Sequence, residues 1–472
     1  MIRFLIAVCV VGWSWQTTTA QNDSLQTAAN QTAANRLVDV IANDLNELIP
    51  GDYEPESDSA NRLIEIANAY VSRNEQKVKQ LLDELAAAEP TAPPRELLLA
   101  GMAYATNNPN NGRIQLERGA IRFKKHPGFP LIFARLALLQ NRFYDAVSLA
   151  EKARTINQDS GLSDEIRKFY DVGSVALLTV VEMRRNELSV AEDYARQWAS
   201  LAPSDDKMLL ASAEIKFKQD RIESATEFLE QRNAQKKTDF PTEVIIGKWY
   251  QSDGKTGLQA TWITQGFEKY PNNKLAQIEY AVVLLRSEKF EQALDVVKTY
   301  EAANGATPDS ELIKGRIAFS REDYKTSYEL FSKLSKLQPN NFEHAYLNIL
   351  AMLENPDAQI KQQAVPLAQR AYQLFPNNSL AVALLGWALV KTDNVQQGGE
   401  IIKRALDMGG MLPDPGYFLA VVMHQDGRTA QASQILEQIV TTPEIFLFRS
   451  RAKGLLESIT LKNSLPNPND KK

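Results

Sequence analysis

The chain has 472 residues, more than one compact core usually organises, so it must be several domains or a modular array. Hydrophobic residues at 44% and charged residues at 24% are ordinary for a soluble globular protein. The formal charge of −5 supplies no basic field for nucleic acid or an anionic membrane surface.

Taken from the N-terminus, residues 1–20 read as a secretory signal peptide. Arg3 is a short basic start, Phe4 to Val11 is unbroken apolar sequence, and Thr18 and Ala20 are the small residues of a cleavage site before Gln21. The apolar run is well short of the roughly 20 residues that span a bilayer, so cleavage rather than anchoring is expected, with an exported chain in a periplasmic or extracellular compartment. Cys9, the only cysteine, lies inside that run. The mature chain is then without a thiol, which excludes disulfides, zinc–cysteine sites and a cysteine nucleophile. Residues 21–58 follow as a polar linker and a capping helix. The linker duplicates Gln26-Thr27-Ala28-Ala29-Asn30 as Gln31-Thr32-Ala33-Ala34-Asn35, and Leu37, Val40, Ile41, Leu45 and Leu48 mark an amphipathic helix over 35–49.

From residue 59 to 443 the sequence is periodic. A small buried position recurs at Val78, Gly112 and Ala146, then Ala191, Ala225, Gln259, Ala293 and Ser327, then Ala364, Gly398 and Ala432. The step is 34 residues, broken once by 45 and once by 37. Four residues on, from Leu82 to Leu436, every position is apolar, and a spacing of four returns to the same helix face. Twelve residues before the small position lies a second small set, including Ala100, Ala134, Gly247, Gly315 and Gly386, where a preceding helix needs close approach. Pro90, Pro203, Pro271, Pro339 and Pro376 end the second helix of their units. The longer step is expected to place its extra residues in Asn157 to Lys168 as a loop and short helix, the shorter one in Asn355 to Ala358. Residues 444–462 close the array as a C-terminal capping helix, and 463–472 read as a disordered tail.

This register resembles that of the tetratricopeptide repeat, with small residues at repeat positions 8 and 20, an apolar or aromatic residue at 24 and proline at 32. The unit from Pro308 to Asn341 carries all of them. The resemblance implies an all-α, right-handed superhelical solenoid of about eleven helix-turn-helix repeats, in which pairs stack because one pair cannot bury its apolar face alone. It also implies that the first helix of each unit lines a concave wall through positions 2, 5, 9 and 12. The wall so assigned is apolar and aromatic with scattered charges, and the expected partner-binding residues are Lys248, Arg316, Phe319, Tyr346, Trp387, Tyr417 and His424. Such a wall suits a protein or peptide partner held by buried anchors. The family's clamp for a C-terminal carboxylate needs lysine at position 5 and asparagine at position 9, and neither occurs here.

The stretch from Leu385-Gly386-Trp387-Ala388 to Ala452-Lys453-Gly454-Leu455-Leu456 is similar to the ends of exported bacterial repeat proteins of exopolysaccharide assembly and secretion. That similarity implies a second reading, an assembly factor whose aromatic wall contacts glycan. No cofactor, metal or catalytic residue is expected. Gly254-Lys255-Thr256 lacks the earlier glycine of a phosphate loop, and His126, His344 and His424 are each isolated. A third reading, an all-helical glycan-active enzyme, rests on Glu214, Asp309, Glu343 and Asp414 in separated repeats.

Overall fold

In a computed structural model of the chain, residues 58–88, 92–106, 108–235 and 240–464 are described. The signal peptide, Cys9, the expected helix over 35–49 and residues 465–472 of the tail lie outside them. The chain divides into two compact units, the first ending at Thr238 and the second beginning at Asp239. All secondary structure among the described residues is helical.

The first unit holds five antiparallel pairs: α1 (Asp58–Val71) with α2 (Glu75–Ala88), α3 (Arg95–Ala105) with α4 (Pro109–Arg122), α5 (Gly128–Leu139) with α6 (Phe143–Gln158), α7 (Asp164–Arg184) with α8 (Leu188–Leu201), and α9 (Asp206–Lys218) with α10 (Ile222–Gln235). The second holds six: α11 (Thr242–Ser252) with α12 (Thr256–Lys269), α13 (Lys274–Arg286) with α14 (Phe290–Asn304), α15 (Pro308–Ser320) with α16 (Tyr324–Leu337), α17 (Phe342–Glu354) with α18 (Ala358–Leu374), α19 (Ser379–Val390) with α20 (Val395–Gly409), and α21 (Pro413–Gln425) with α22 (Thr429–Val440). A last helix, α23 (Arg449–Ser464), follows them.

The small-residue pattern has a direct steric cause. A Cβ on Gly315 would lie 2.5 Å from Phe331, one on Gly247 2.8 Å from Ile263, and one on Gly386 2.7 Å from Ile402. In each case the small residue of the first helix makes room for the large residue of its own second helix. Gly398 and Gly386 go further, because a Cβ on Gly398 would meet the Gly386 carbonyl oxygen at 2.6 Å. Backbone packs on backbone there.

Most pairs turn through three residues with the middle one left-handed: Arg73, Asn141, Asn186, Asp220, Glu288 and Glu322 all have φ between 55° and 63°. The next amide then reaches back over the helix end, as in Lys289 N–H to Leu284 O at 2.9 Å and Asp323 N–H to Ala318 O at 2.9 Å. That closure satisfies carbonyls the helix itself leaves open. Asp253-Gly254-Lys255 is one more such turn, with Gly254 at φ 71°, and not a phosphate cradle.

Two sequence expectations are corrected. The longer step is not a loop and short helix over 157–168: α6 runs to 16 residues and α7 to 21, so the insertion lengthens two helices. The extension holds because Ser163 caps α7 and buried Asn157 donates to Arg167 O at 2.7 Å and Asp171 Oδ1 at 2.8 Å. The shorter step gives α18 an extra turn, 17 residues begun by the Asp357 cap, rather than a longer loop. Two polar residues also stand at buried pattern positions, Gln259 and Arg232. Gln259 is fully buried and accepts a hydrogen bond from Arg286, and Arg232 lies 3.9 Å from Asp206.

Candidate functional site

The first helices of the second unit, α11, α13, α15, α17, α19 and α21, carry every residue expected to hold a partner, and the structure ties most of them to neighbours within the unit. Lys248 on α11 forms a 2.5 Å ion pair with Glu279 on α13. Arg316 on α15 pairs with Glu343 on α17. The Tyr346 hydroxyl on α17 donates to Asp414 Oδ2 on α21 at 3.0 Å. Phe319 and Trp387 are 1% exposed, Tyr346 5% and Tyr417 4%. Four of the seven expected wall residues are thus core, not open wall. Burial wins because aromatic residues at positions 5, 9 and 12 are wide enough to reach the adjoining repeat and the segment described next. His424 remains half-buried in the last turn of α21.

The cover over these aromatics is the chain's own C-terminal segment. After α22 ends at Val440, a short irregular stretch carries Ile445, Phe446, Leu447 and Phe448 onto the first helices before α23 starts. Phe448 has no exposed surface and sits in an aromatic box. Its ring stacks on Tyr417 with centroids 4.9 Å apart and meets Phe319 edge-on at 5.0 Å, Phe418 at 5.3 Å and Trp387 at 6.4 Å. Aromatic pairs at such separations add about 0.5–1.5 kcal/mol each beyond the area they bury. Ile445 packs farther back, against the core formed by α13 to α15. The C-terminal helix starts at Arg449, packs on α22, and also reaches residues up to 165 positions earlier in the chain.

Charge complementarity fixes this C-terminal arm as well. Glu354, at the end of α17, has a side chain 3% exposed and accepts three donors: Trp387 Nε1 at 2.9 Å, Lys391 Nζ at 2.9 Å and Arg451 Nη1 at 2.7 Å. Burial alone would raise its carboxyl, but Lys391 and Arg451 outweigh burial and hold it below the ordinary value. Burial lowers Arg451, and Glu354 more than reverses that, so its guanidinium is raised. Glu288, in the left-handed turn before α14, takes Arg449 Nε and Lys453 Nζ, both at 3.0 Å. Arg449 also clasps the turn itself, donating to Val440 O, Thr442 O and Glu444 O. Burial pushes Tyr417 and Tyr324 up to about 12, so both phenols stay neutral beside the arm.

Of the carboxylates considered for catalysis, Asp309, Glu343 and Asp414 lie around Arg316 and His344 in the second unit. Glu214 lies in the first unit, 3.8 Å from Lys218. Burial raises Asp309, and burial raises Asp414 to about 6 against the pull of the Tyr346 hydroxyl and Arg316. Glu343 is taken by Arg316, whose guanidinium burial lowers. No group of three metal-ligating side chains, and no helix long and apolar enough to cross a membrane, occurs among the described residues.

Sequence reasoning missed Glu288, Glu354 and the role of Phe448 with Arg451. The only trace in the sequence is the run Phe446-Leu447-Phe448-Arg449-Ser450-Arg451, apolar then basic.

No family model matches the sequence, and no curated protein matches it. Solved structures do resemble it. A tetratricopeptide repeat protein from Parabacteroides merdae shares 12% identity over 54% of this chain and 99% of its own, with a TM-score of 0.38. The Cut9–Hcn1 hetero-tetramer of the APC/C shares 11% over 86% of this chain and 84% of its own, TM-score 0.37. YrrB, described as a TPR protein with an unusual peptide-binding site, shares 18% over 41% of this chain and 97% of its own, TM-score 0.26. The fold is an all-α solenoid of tetratricopeptide-type helix pairs. The glycan reading finds no support in the solenoid's wall, because Trp387 and Tyr417, the rings that would stack on sugar, are covered by Phe448.

Proposed function

We propose that this chain is an exported, non-enzymatic scaffold that holds a protein segment against the first helices of its second unit. One observation carries the reading: that face already holds a segment of the chain itself, with an irregular apolar stretch, an aromatic anchor and flanking ion pairs to Glu288 and Glu354. A surface that binds its own chain this way has the features of peptide recognition, a buried anchor with charged groups setting register. Export is supported by the N-terminal sequence, with its basic start, apolar run and small-residue cleavage site.

Both halves are open to test. Export predicts that the purified native protein begins at Gln21 and is recovered outside the cytoplasm; an intact Met1 terminus in the cytosol would refute it. For binding, a photocrosslinking residue at exposed Glu322, in the turn that faces Tyr324 and Tyr417, is compared with one at exposed Glu329 on the second helix α16. The reading expects a discrete protein adduct from position 322 only. Equal background labelling at both positions would refute it.

A further inference from the structure

Beneath the basic part of the arm the repeats place Glu288, Glu322 and Glu354, with Lys391 beside Glu354 and Arg286 lining the groove beside Glu288. The arm supplies the missing cations in a fixed order after its anchor: Phe448, then Arg449, Arg451 and Lys453 at one, three and five residues beyond. Without the arm Glu288 loses both of its cations, Glu354 loses one of two, and the box around Phe448 opens.

We propose that this groove is a recognition site for an aromatic–basic protein segment, a phenylalanine-type anchor followed by alternating basic residues, and that the C-terminal arm is an intrachain stand-in which a partner segment displaces. The inference rests on the partner-binding reading above and names the chemistry of the partner. Charge and shape both argue for it. An acidic segment would leave Glu288 and Glu354 facing like charge. A segment without an aromatic anchor would leave Phe319, Trp387, Tyr417 and Phe418 around an empty box. The arm is suited to exchange because it is terminal and is joined to α22 by a short irregular hinge, and its release uncovers the face of α22 on which α23 packs together with the core around Phe448. As a tethered occupant it competes at an effective concentration on the order of millimolar, which sets a threshold any partner must exceed.

The test uses the full chain and a fluorescent peptide of residues 443–461 added in trans, read by anisotropy. The double variant Phe448→Ala/Arg451→Glu loosens the arm and leaves every groove residue in place. The peptide is expected to bind it at least about tenfold more tightly than wild type, since the tethered competitor is weakened. Binding should be lost when the peptide carries Phe448→Ala, and reduced when the chain also carries Glu354→Gln. Should the double variant lose its helical circular dichroism, Arg451→Glu alone, which opens no cavity, takes its place. Absence of peptide binding to a folded, arm-loosened chain would overturn the proposal. So would light scattering showing dimers that exchange arms, because the occupant would then be a second copy. Crosslinking from Glu322 reads the broader reading separately: adducts without peptide binding would remove this inference alone, and absence of adducts would remove the scaffold reading and this inference with it.

Discussion

Glu354→Gln removes one negative charge and little volume, and its cost follows from the three donors around that carboxylate. Gln keeps an acceptor for Trp387 Nε1, but its amide turns donors toward Lys391 and Arg451. Breaking a buried pair from one side typically costs about 3–5 kcal/mol. Lys391 and Arg451 are 20% and 30% exposed and regain some hydration, so the expected loss is near the lower end, about 3 kcal/mol. The lowered carboxyl adds a pH signature. Its ionised form stabilises the fold above the unfolded value of about 4.5, and that contribution fades as pH falls through the lower folded value. The gap between wild type and variant should therefore be full at pH 7 and narrow steadily below about pH 4.5. Amide hydrogen exchange on α19 and α23 is the assay, because it reads the second unit by itself. Wild-type protection in the variant at pH 7, or a gap that widens on acidification, would refute the argument.

Three further outcomes follow from the same reasoning. Asp414, its carboxyl raised to about 6 by burial, costs stability as pH climbs from about 3.8 to 6; Asp414→Asn should stabilise the second unit by up to about 3 kcal/mol at pH 7.5 and by little at pH 3.5, measured by denaturant midpoints. Burial beside Phe129 and Tyr170 lowers His126 to about 4. The first unit should thus lose up to about 3 kcal/mol as pH falls from 6.5 to 4, and His126→Gln should flatten that slope. Gly398→Ala, which drives a Cβ to 2.6 Å from a carbonyl oxygen, should cost about 3 kcal/mol, whereas Gly454→Ala on α23, with open space around it, should gain about 0.5–1 kcal/mol in thermal unfolding.

The architecture was legible because it is a short-range, repeated steric problem. Gly315 and Phe331, Gly247 and Ile263, Gly386 and Ile402 are sixteen residues apart in each unit, and the same solution recurs along the chain. Periodicity therefore determined the all-helical class, the helix pairs and the turns between them. It also assigned which residues of each first helix share one face. What it could not determine was whether the wall is open. Trp387, Tyr417 and Phe319 satisfy the same pattern whether a partner, a sugar or the protein itself lies on them. The answer depends on Phe448 and on ion pairs from Arg451 and Lys453 to residues 97 and 165 positions away. Such pairings occur once and leave no period behind. Local sequence spacing determines which residues share a helix face; only the tertiary path of the C-terminal arm decides what that face touches.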